Sequence, residues 1–248
     1  YKSMTNHKLT PQLIWVATLF LVTGILAYTV LHRNQFQHTI SVTGLGTKDF
    51  ESDLIVWSGS FSKKSYDLKE AYASLDKDRA VVTDYLVKKG IKAADLVFSA
   101  VQINRDFSSD YDPNTQRTTT VFTGYTLTQT VQIESKEVNK IEEISRQVSE
   151  MINLGVEFYS NMPEYYYTKL AELKVEMVAQ ATKDAQNRAK TIAEEAGAGL
   201  GSLKKAQMGI FQIVAQNSSE EYSWGGAFNT SAKRKTANIT MKLEYGVK

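Results

Sequence analysis

Residues 181–201 have the sequence ATKDAQNRAKTIAEEAGAGLG, which predicts the second half of a long helix and the exit of the chain from it. Alanine recurs at every fourth position and marks one helix face: Ala181, Ala185, Ala189 and Ala193. Because alanine does not hold a neighbouring backbone away, this face predicts close packing against a sheet or another helix. We expect the helix to begin near Pro163 and to end at Gly197.

The segments on either side of this helix alternate between apolar and polar residues, with the period of two that is typical of strands. The last segment, residues 237–245, predicts a strand with one buried and one solvated face. Residues 38–65 predict two strands joined around Gly46. The other predicted strands cover residues 97–103, 121–133, 156–159 and 203–214, with a polar loop at residues 105–118.

Two further helices are predicted between the strands. Asp67 is placed to cap the first, with Glu70 reaching back from the third position and Gly90 as a left-handed stop. The second runs from Ser135 to a stop near Gly155. The predicted buried stripe of the first helix consists of Leu68, Tyr72, Leu75, Val82 and Leu86. The order of elements predicts an α+β domain with antiparallel-leaning sheets and three helices, with Tyr165–Tyr167 on the longest helix.

The N-terminal segment predicts a membrane anchor. Residues 13–31 contain no charged residue over 19 positions, which corresponds to roughly 28 Å of helix. A cleaved signal peptide has a shorter apolar region and a small-x-small site, so we expect this segment to be retained. Lys2 and Lys8 on one side against Arg33 on the other favour a cytoplasmic N-terminus. We therefore divide the chain into a short tail (1–12), a transmembrane anchor (13–33) and a domain (38–248).

Composition excludes several classes of function. The chain has no cysteine, and its three histidines all lie within the first 38 residues. The chain beyond His38 thus lacks the residue types most used for nucleophile activation and transition-metal binding. From residue 34 onward, 26 basic residues face 27 acidic ones. Without a basic stripe to neutralise phosphates, we expect no nucleic-acid partner.

Ordered motifs in the domain resemble a known family. The motifs are Val42-Thr43-Gly44-Leu45-Gly46, Gly124-Tyr125, Gly155-Val156-Glu157-Phe158, Asp184-Ala185 and Leu200-Gly201. Over about residues 38–247 the chain resembles the SIMPL domain proteins of bacterial envelopes, including periplasmic immunogenic and YggE-like proteins. It departs from them at Gln129, where the family often has asparagine. The resemblance implies a periplasmic α+β domain, with ring or channel-like homo-oligomers among its relatives, and it carries over no catalytic residue.

Two groups of carboxylates are candidates for chemical sites. Asp110, Asp112 and Asn114 follow the spacing of a calcium loop, with Asp106 nearby. Thr115 and Val121 replace the glycine and the glutamate of such a loop, so we expect a solvated turn and no metal or cofactor. Paired glutamates suited in principle to glycoside chemistry are common on helix and loop surfaces: Glu142-Glu143, Glu194-Glu195 and Glu220-Glu221. We expect no enzyme activity.

The loop 217–235 is the candidate interaction site. Tyr222, Trp224 and Phe228 surround two glycines in an otherwise polar connection. Large aromatic residues in such a loop either pack under their own domain or anchor a partner. Both alternatives stay open, and we take the three residues as the interface hypothesis.

These observations predict a single-pass protein of the inner (cytoplasmic) membrane with its C-terminal domain in the periplasm. Lipid contacts are expected through residues 13–31. We predict a non-catalytic scaffold or interaction module that forms a homo-oligomer or joins an envelope complex. The alternative is a small-ligand-binding envelope module. A carboxylate-dependent hydrolase ranks third.

Overall fold

The computed structural model describes residues 11–33, 38–113, 116–219 and 226–248. The α-helices in these ranges are α1 (Pro11–Arg33), α2 (Leu68–Lys88), α3 (Val138–Gln147) and α4 (Leu170–Glu195). The strands are β1 (Thr39–Glu51), β2 (Leu54–Ser65), β3 (Val97–Phe98), β4 (Gln102–Asp112), β5 (Arg117–Ser135), β6 (Phe158–Ser160), β7 (Glu164–Tyr166), β8 (Leu200–Met208), β9 (Gln212–Ala215) and β10 (Arg234–Val247).

The predicted α+β class with antiparallel sheets is confirmed. Strand β5 pairs antiparallel with β2, β3 and β4, and β2 also pairs antiparallel with β6 and β7. Strand β10 pairs antiparallel with β8 and β9. The described residues divide into two compact units, one within residues 11–33, 38–46, 176–210 and 239–248, the other within residues 47–113, 116–175, 211–219 and 226–238.

The first unit contains the alanine face of α4. All four alanines are fully buried, as predicted: Ala181, Ala185, Ala189 and Ala193. A β-carbon on Gly44 of β1 would lie 2.1 Å from the carbonyl oxygen of Ala181, so the strand backbone lies directly on the helix. Gly197 has φ +72° and follows α4 at the predicted place.

The predicted turn at Gly46 is wrong. Strand β1 continues through this residue to Glu51. A β-carbon on Gly46 would lie 2.5 Å from the carbonyl oxygen of Met177 on α4. This glycine therefore serves close packing within a strand.

The second unit is centred on the long pairing of β2 with β5, which joins residues 55–65 to residues 125–135. Trp57, Phe61, Leu127 and Ile133 project from these strands into its core and are fully buried. Helices α2 and α3 contribute apolar residues to the same cluster.

Helix α2 begins and ends where predicted. The Asp67 carboxylate accepts hydrogen bonds from the backbone N–H groups of Lys69 (2.8 Å) and Glu70 (2.9 Å), and Gly90 has φ +87°. The Glu70 side chain accepts from Ser65 Oγ, not from the predicted backbone of Asp67. The predicted stripe is partly wrong, because Leu68 and Tyr72 are exposed while Ala71 and Tyr85 are buried. Burial of Tyr85 is stabilised by a 3.0 Å hydrogen bond from its hydroxyl to Glu150.

Helix α3 is shorter than predicted at its start, because Ser135 is the last residue of β5. The chain continues from α3 as a 3-10 turn, Val148–Leu154. Gly155 follows with φ +80°, which confirms the predicted stop.

The predicted helix start at Pro163 is wrong. Residues 164–166 form β7, which pairs with residues 54–56 of β2, so Tyr165–Tyr167 precede the helix. Asp53 accepts hydrogen bonds from the backbone N–H and the hydroxyl of Thr168, both at 2.7 Å. Pairing with the edge of β2 and the hydrogen bonds to Asp53 therefore keep this segment extended. Helix α4 begins only at Leu170.

The predicted loop at residues 105–118 is also wrong. Most of it belongs to β4 and β5, which pair antiparallel from Gln102 opposite Thr128 to Asp112 opposite Arg117, with one register shift between Asp106 and Phe107. Consecutive threonines in residues 118–120 favour extended backbone, although their polarity resembles that of a loop.

Residues 11–33, which contain the predicted anchor, form α1. Among the residues that the structure describes, no helix combines the length and hydropathy required of a membrane span.

Candidate interaction site

The far end of the β4–β5 hairpin forms an arm, which consists of residues 106–112 and 117–124. Residues 125–135 of β5 pair with β2, whereas in the described structure residues 117–124 pair with β4 alone. A two-stranded ribbon is marginally stable in isolation. A further contact would therefore stabilise the hairpin arm.

One face of the hairpin arm is aromatic. Phe107 lies opposite Phe122 in the register, with ring centroids 5.7 Å apart, and Tyr111 is four positions farther along the same strand. Phe107 is 58% and Tyr111 59% exposed. Tyr66, which is 72% exposed, extends the cluster with its ring centroid 6.3 Å from that of Phe122. Tyr66, Phe107 and Phe122 thus form a solvent-facing aromatic cluster, and Tyr111 lies farther out on the same side of β4.

The base of the hairpin arm is held in a defined position. Gly124 has φ +123°, and a β-carbon there would lie 2.8 Å from the carbonyl oxygen of Ser65. Opposite it, the Asp106 carboxylate accepts a hydrogen bond from Thr126 Oγ1 at 2.5 Å and pairs with Lys64 at 2.9 Å. These two partners hold the pKa of Asp106 below its ordinary value, Thr126 having the larger effect.

The calcium-loop alternative does not fit this geometry. Asp106, Asp110 and Asp112 lie on an extended strand, and alternate residues of a strand are about 7 Å apart along its axis. Such a backbone does not wrap around an ion. Asn114 lies outside the described residues.

The interface hypothesis rests on Tyr222, Trp224 and Phe228. Tyr222 and Trp224 lie outside the described residues. Phe228 is 52% exposed, and its ring centroid lies 6.2 Å from that of Phe211. The Nζ atom of Lys174 lies 5.8 Å from the Phe228 ring. One side of Phe228 thus packs within its own unit and the other is open to solvent.

Strand β9 holds the Phe228 segment in place. The backbone N–H of Ile213 donates to the carbonyl of Ala227 at 2.6 Å, and that of Asn229 donates to the carbonyl of Ile213 at 3.0 Å. Behind this segment is a cleft of about 170 Å³, which we call the Lys235 cleft. It is lined by Phe50, Tyr165, Tyr166, Tyr167, Leu170, Ile213, Phe228, Asn229, Thr230 and Lys235.

Lys235 is the ionisable amine of this cleft and is only 3% exposed. It precedes Ala237, Ile239 and Met241 at the alternate positions of β10 that face inward. Its Nζ donates a hydrogen bond to the carbonyl of Tyr165. Burial lowers the pKa of Lys235 from 10.5 to about 8. Lys235 was not predicted from the sequence, although a lysine in register with the buried face of a strand is a signal for such burial.

The sequence motifs around Gly44, Asp184 and Gly201 make packing contacts in the structure. The backbone N–H of Leu45 donates to the Asp184 carboxylate at 2.9 Å, which connects the first motif to the Asp184-Ala185 pair. A β-carbon on Gly201 would lie 2.5 Å from the carbonyl oxygen of Gly246, so the Leu200-Gly201 motif permits close pairing of β8 with β10. These motifs therefore specify the packing of helix and strands.

Known periplasmic proteins are similar to this chain in sequence. The 26 kDa periplasmic immunogenic proteins of Brucella melitensis biotype 1 and Brucella abortus strain S19 are each 26% identical to this chain over 164 residues. The match covers 66% of this chain and 64% of the length of each relative. A family model described as SIMPL, protein of unknown function (DUF541), matches residues 40–245. With its fold, its packing motifs and this match in agreement, the chain belongs to the SIMPL family.

Proposed function

We propose that this chain is a non-catalytic envelope protein that assembles with copies of itself through the hairpin arm. The observation that carries the proposal is the exposed aromatic face of the arm, with Phe107 58% and Tyr111 59% exposed. Soluble monomers rarely expose large contiguous apolar patches, and aromatic residues are enriched at interfaces. Burying this face stabilises both the interface and the marginal ribbon that carries it.

A second copy of the chain fits this face. The cluster of Tyr66, Phe107 and Phe122 already packs its rings edge to face, and a symmetric partner would continue this packing with identical groups. The arm also carries both signs of charge, with Asp110 on β4 and Arg117 on β5. A two-fold contact can therefore bring acidic and basic residues together across the interface.

For location, we place the domain in the periplasm, because both relatives carry the word periplasmic in their names. We further propose that residues 13–31 anchor it to the inner membrane with the N-terminus in the cytoplasm. The support is the uncharged apolar run of residues 13–31 in the sequence, which corresponds to roughly 28 Å of helix. Apolar side chains on α1 are exposed, among them Phe20 at 73% and Leu26 at 58%.

Protease treatment of spheroplasts tests the topology. External protease should remove the domain while the cells remain intact. Protection of the domain until the cells are lysed would reject the proposed orientation.

The assembly is tested by measuring the mass of the full chain in detergent, subtracting bound detergent. Wild type should have a mass several times that of one chain, and the double variant F107S/Y111S should shift to the monomer. Met162→Ser is the matched control, because Met162 is 91% exposed and lies outside the arm. A monomeric wild type, or a double variant with unchanged mass, would refute assembly through the arm.

A small-ligand-binding module is the second candidate function. The Lys235 cleft favours it, because a concave apolar site with one buried charged group is typical of ligand pockets.

A further inference from the structure

We propose that the Lys235 cleft binds a small apolar carboxylate, with the hydrocarbon part in the cleft and the carboxylate on the Lys235 ammonium group. This binding site is independent of the assembly proposed above.

The size and lining of the cleft define the hydrocarbon part. The cleft has a volume of about 170 Å³, and an apolar protein cavity of about 150 Å³ is large enough to bind benzene. Its walls are mainly aromatic and aliphatic, and Phe50 and Tyr167 contribute rings whose centroids are 4.7 Å apart. Aromatic walls favour a flat ring through offset or edge-to-face contacts. The expected occupant is therefore a single ring or a short branched chain.

The hydrogen bonding of Lys235 defines the charged part. An ammonium group has three N–H donors. In the described structure the Nζ atom of Lys235 donates to one acceptor, the uncharged carbonyl of Tyr165. A buried charge is costly unless it is paired and hydrogen-bonded. A carboxylate reaching Nζ from the cleft would supply both the charge and the missing acceptors.

Nearby acidic side chains bind other partners. Around Lys235 on β10, Arg234 pairs with Glu51 at 2.9 Å and Thr236 donates to Asp49 at 2.6 Å. Lys233 pairs with Glu142 at 3.4 Å, and Arg146 pairs with the same carboxylate at 2.6 Å. Each of these carboxylates is thus engaged by a residue other than Lys235. Among the described residues, no ion pair to Lys235 is formed.

The chemistry of the cleft selects a carboxylate over the alternatives. A phosphate group has more oxygen atoms to satisfy than the single ammonium and the mainly apolar walls can serve. A neutral hydrocarbon fills the cleft but leaves the ammonium group unpaired. A carboxylate on a ring or short chain satisfies both parts of the site.

The test uses benzoate as the probe and benzyl alcohol as its uncharged counterpart, with the full chain in detergent at pH 7. Binding is followed by calorimetry and by chemical-shift changes of methyl groups that line the cleft. Benzoate should bind about tenfold or more tightly than benzyl alcohol, since hydrogen bonds to charged groups are worth that factor. This comparison needs only the wild-type protein.

Two variants assign the preference to one amine. Lys235→Met should reduce benzoate affinity about tenfold or more and leave benzyl alcohol binding within about twofold. Lys174→Met is the matched control, because Lys174 is a second cation beside Phe228 whose Nζ lies 5.8 Å from that ring. It should leave both affinities unchanged.

The proposal is overturned if wild type binds neither probe, if it binds both equally, or if Lys174→Met reduces benzoate binding as much as Lys235→Met does. The double variant F107S/Y111S separates this proposal from the assembly. It should lose oligomeric mass and still bind benzoate. Loss of benzoate binding in that variant would show that the site requires assembly and would overturn the proposed independence.

Discussion

The Asp184 carboxylate on α4 accepts a 2.9 Å hydrogen bond from the backbone N–H of Leu45 on β1, which is 139 positions away in the chain. Arg188 Nε donates to the same oxygen atom, also at 2.9 Å. Gly44, the neighbour of Leu45, allows the strand to approach the helix closely enough for this bond. Two motifs that are far apart in the sequence thus form one packing contact.

Removing this contact should destabilise the protein in a pH-dependent manner. The Leu45 N–H, followed by Arg188, lowers the pKa of Asp184. A lowered carboxyl pKa in the folded state contributes stability above the unfolded pKa, and this contribution is lost as pH falls through the folded pKa. Asp184→Ala should therefore cost about 1 kcal/mol at pH 7, since the group is partly exposed. Urea unfolding should show the difference from wild type shrinking below about pH 4.

Asp76→Ala is the control for this measurement, since Asp76 is an exposed carboxylate on α2. It should change the free energy of unfolding by less than about 0.5 kcal/mol. A cost for Asp184→Ala that is the same at every pH would contradict the electrostatic part of the explanation.

Gly44→Ala should be far more damaging than an ordinary glycine substitution. The added β-carbon would lie 2.1 Å from the Ala181 carbonyl oxygen and 2.4 Å from the Ala185 backbone nitrogen, so strand and helix must separate. We expect a loss of about 3 kcal/mol or more in the free energy of unfolding, at the upper end of overpacking effects. Gly199→Ala is the matched control, because its nearest contact would be an ordinary 3.4 Å to Lys248 Cβ. Equal melting temperatures for the two variants would refute the close approach.

Lys235→Met should change how stability depends on pH. The pKa of Lys235 falls from 10.5 to about 8 on folding, so between these pH values the unfolded chain binds the extra proton. Wild-type stability should therefore rise relative to the variant across this range, by up to about 3 kcal/mol. At pH 7, replacing the buried ammonium with an apolar side chain of similar length should raise the melting temperature. Parallel stability curves for the two proteins would contradict burial of Lys235.

Trp224→Ala tests the interface hypothesis for the loop. If Trp224 contacts a neighbouring chain, its replacement should weaken assembly by roughly 2 kcal/mol or more per contact while the fold survives. If Trp224 packs internally, the domain should instead lose about 3 to 5 kcal/mol of stability. Sedimentation and thermal melting of the same variant distinguish the two results. Phe228→Ala is the companion variant, because Phe228 is half exposed and also contacts its own unit.

Local patterns predicted the elements whose signals lie within one segment. Asp67 and Gly90 mark the ends of α2 because a cap and a left-handed stop depend on the backbone next to them. The alternation in residues 237–245 predicted the inward face of β10 for the same reason. The candidate site was harder to predict from the sequence. Phe228 was chosen from the sequence, but the aromatic face of the hairpin arm and the Lys235 cleft were not.

Two errors arose where a distant segment decided the outcome, and a third where the polarity of a segment was misleading. Gly46 looked like a turn because the sequence does not show the helix that packs against it. Residues 164–166 looked helical because Pro163 suits the first turn of a helix, yet they pair with the edge of β2. Residues 105–118 looked like a loop because they are polar, although their threonine and aromatic residues suit an extended hairpin.

The sequence by itself determined the α+β class, the alanine face of α4, the ends of α2 and the membership of the family, because each depends on residue types at fixed spacing along the chain. Only the tertiary structure decided which strand edge pairs with residues 164–166, which aromatic residues remain exposed, and which lysine lies in an apolar cleft. Exposure and pairing depend on what packs against a residue from elsewhere in the chain. Lys235 and Phe107 therefore look ordinary in the sequence and acquire their significance only from their neighbours in the fold.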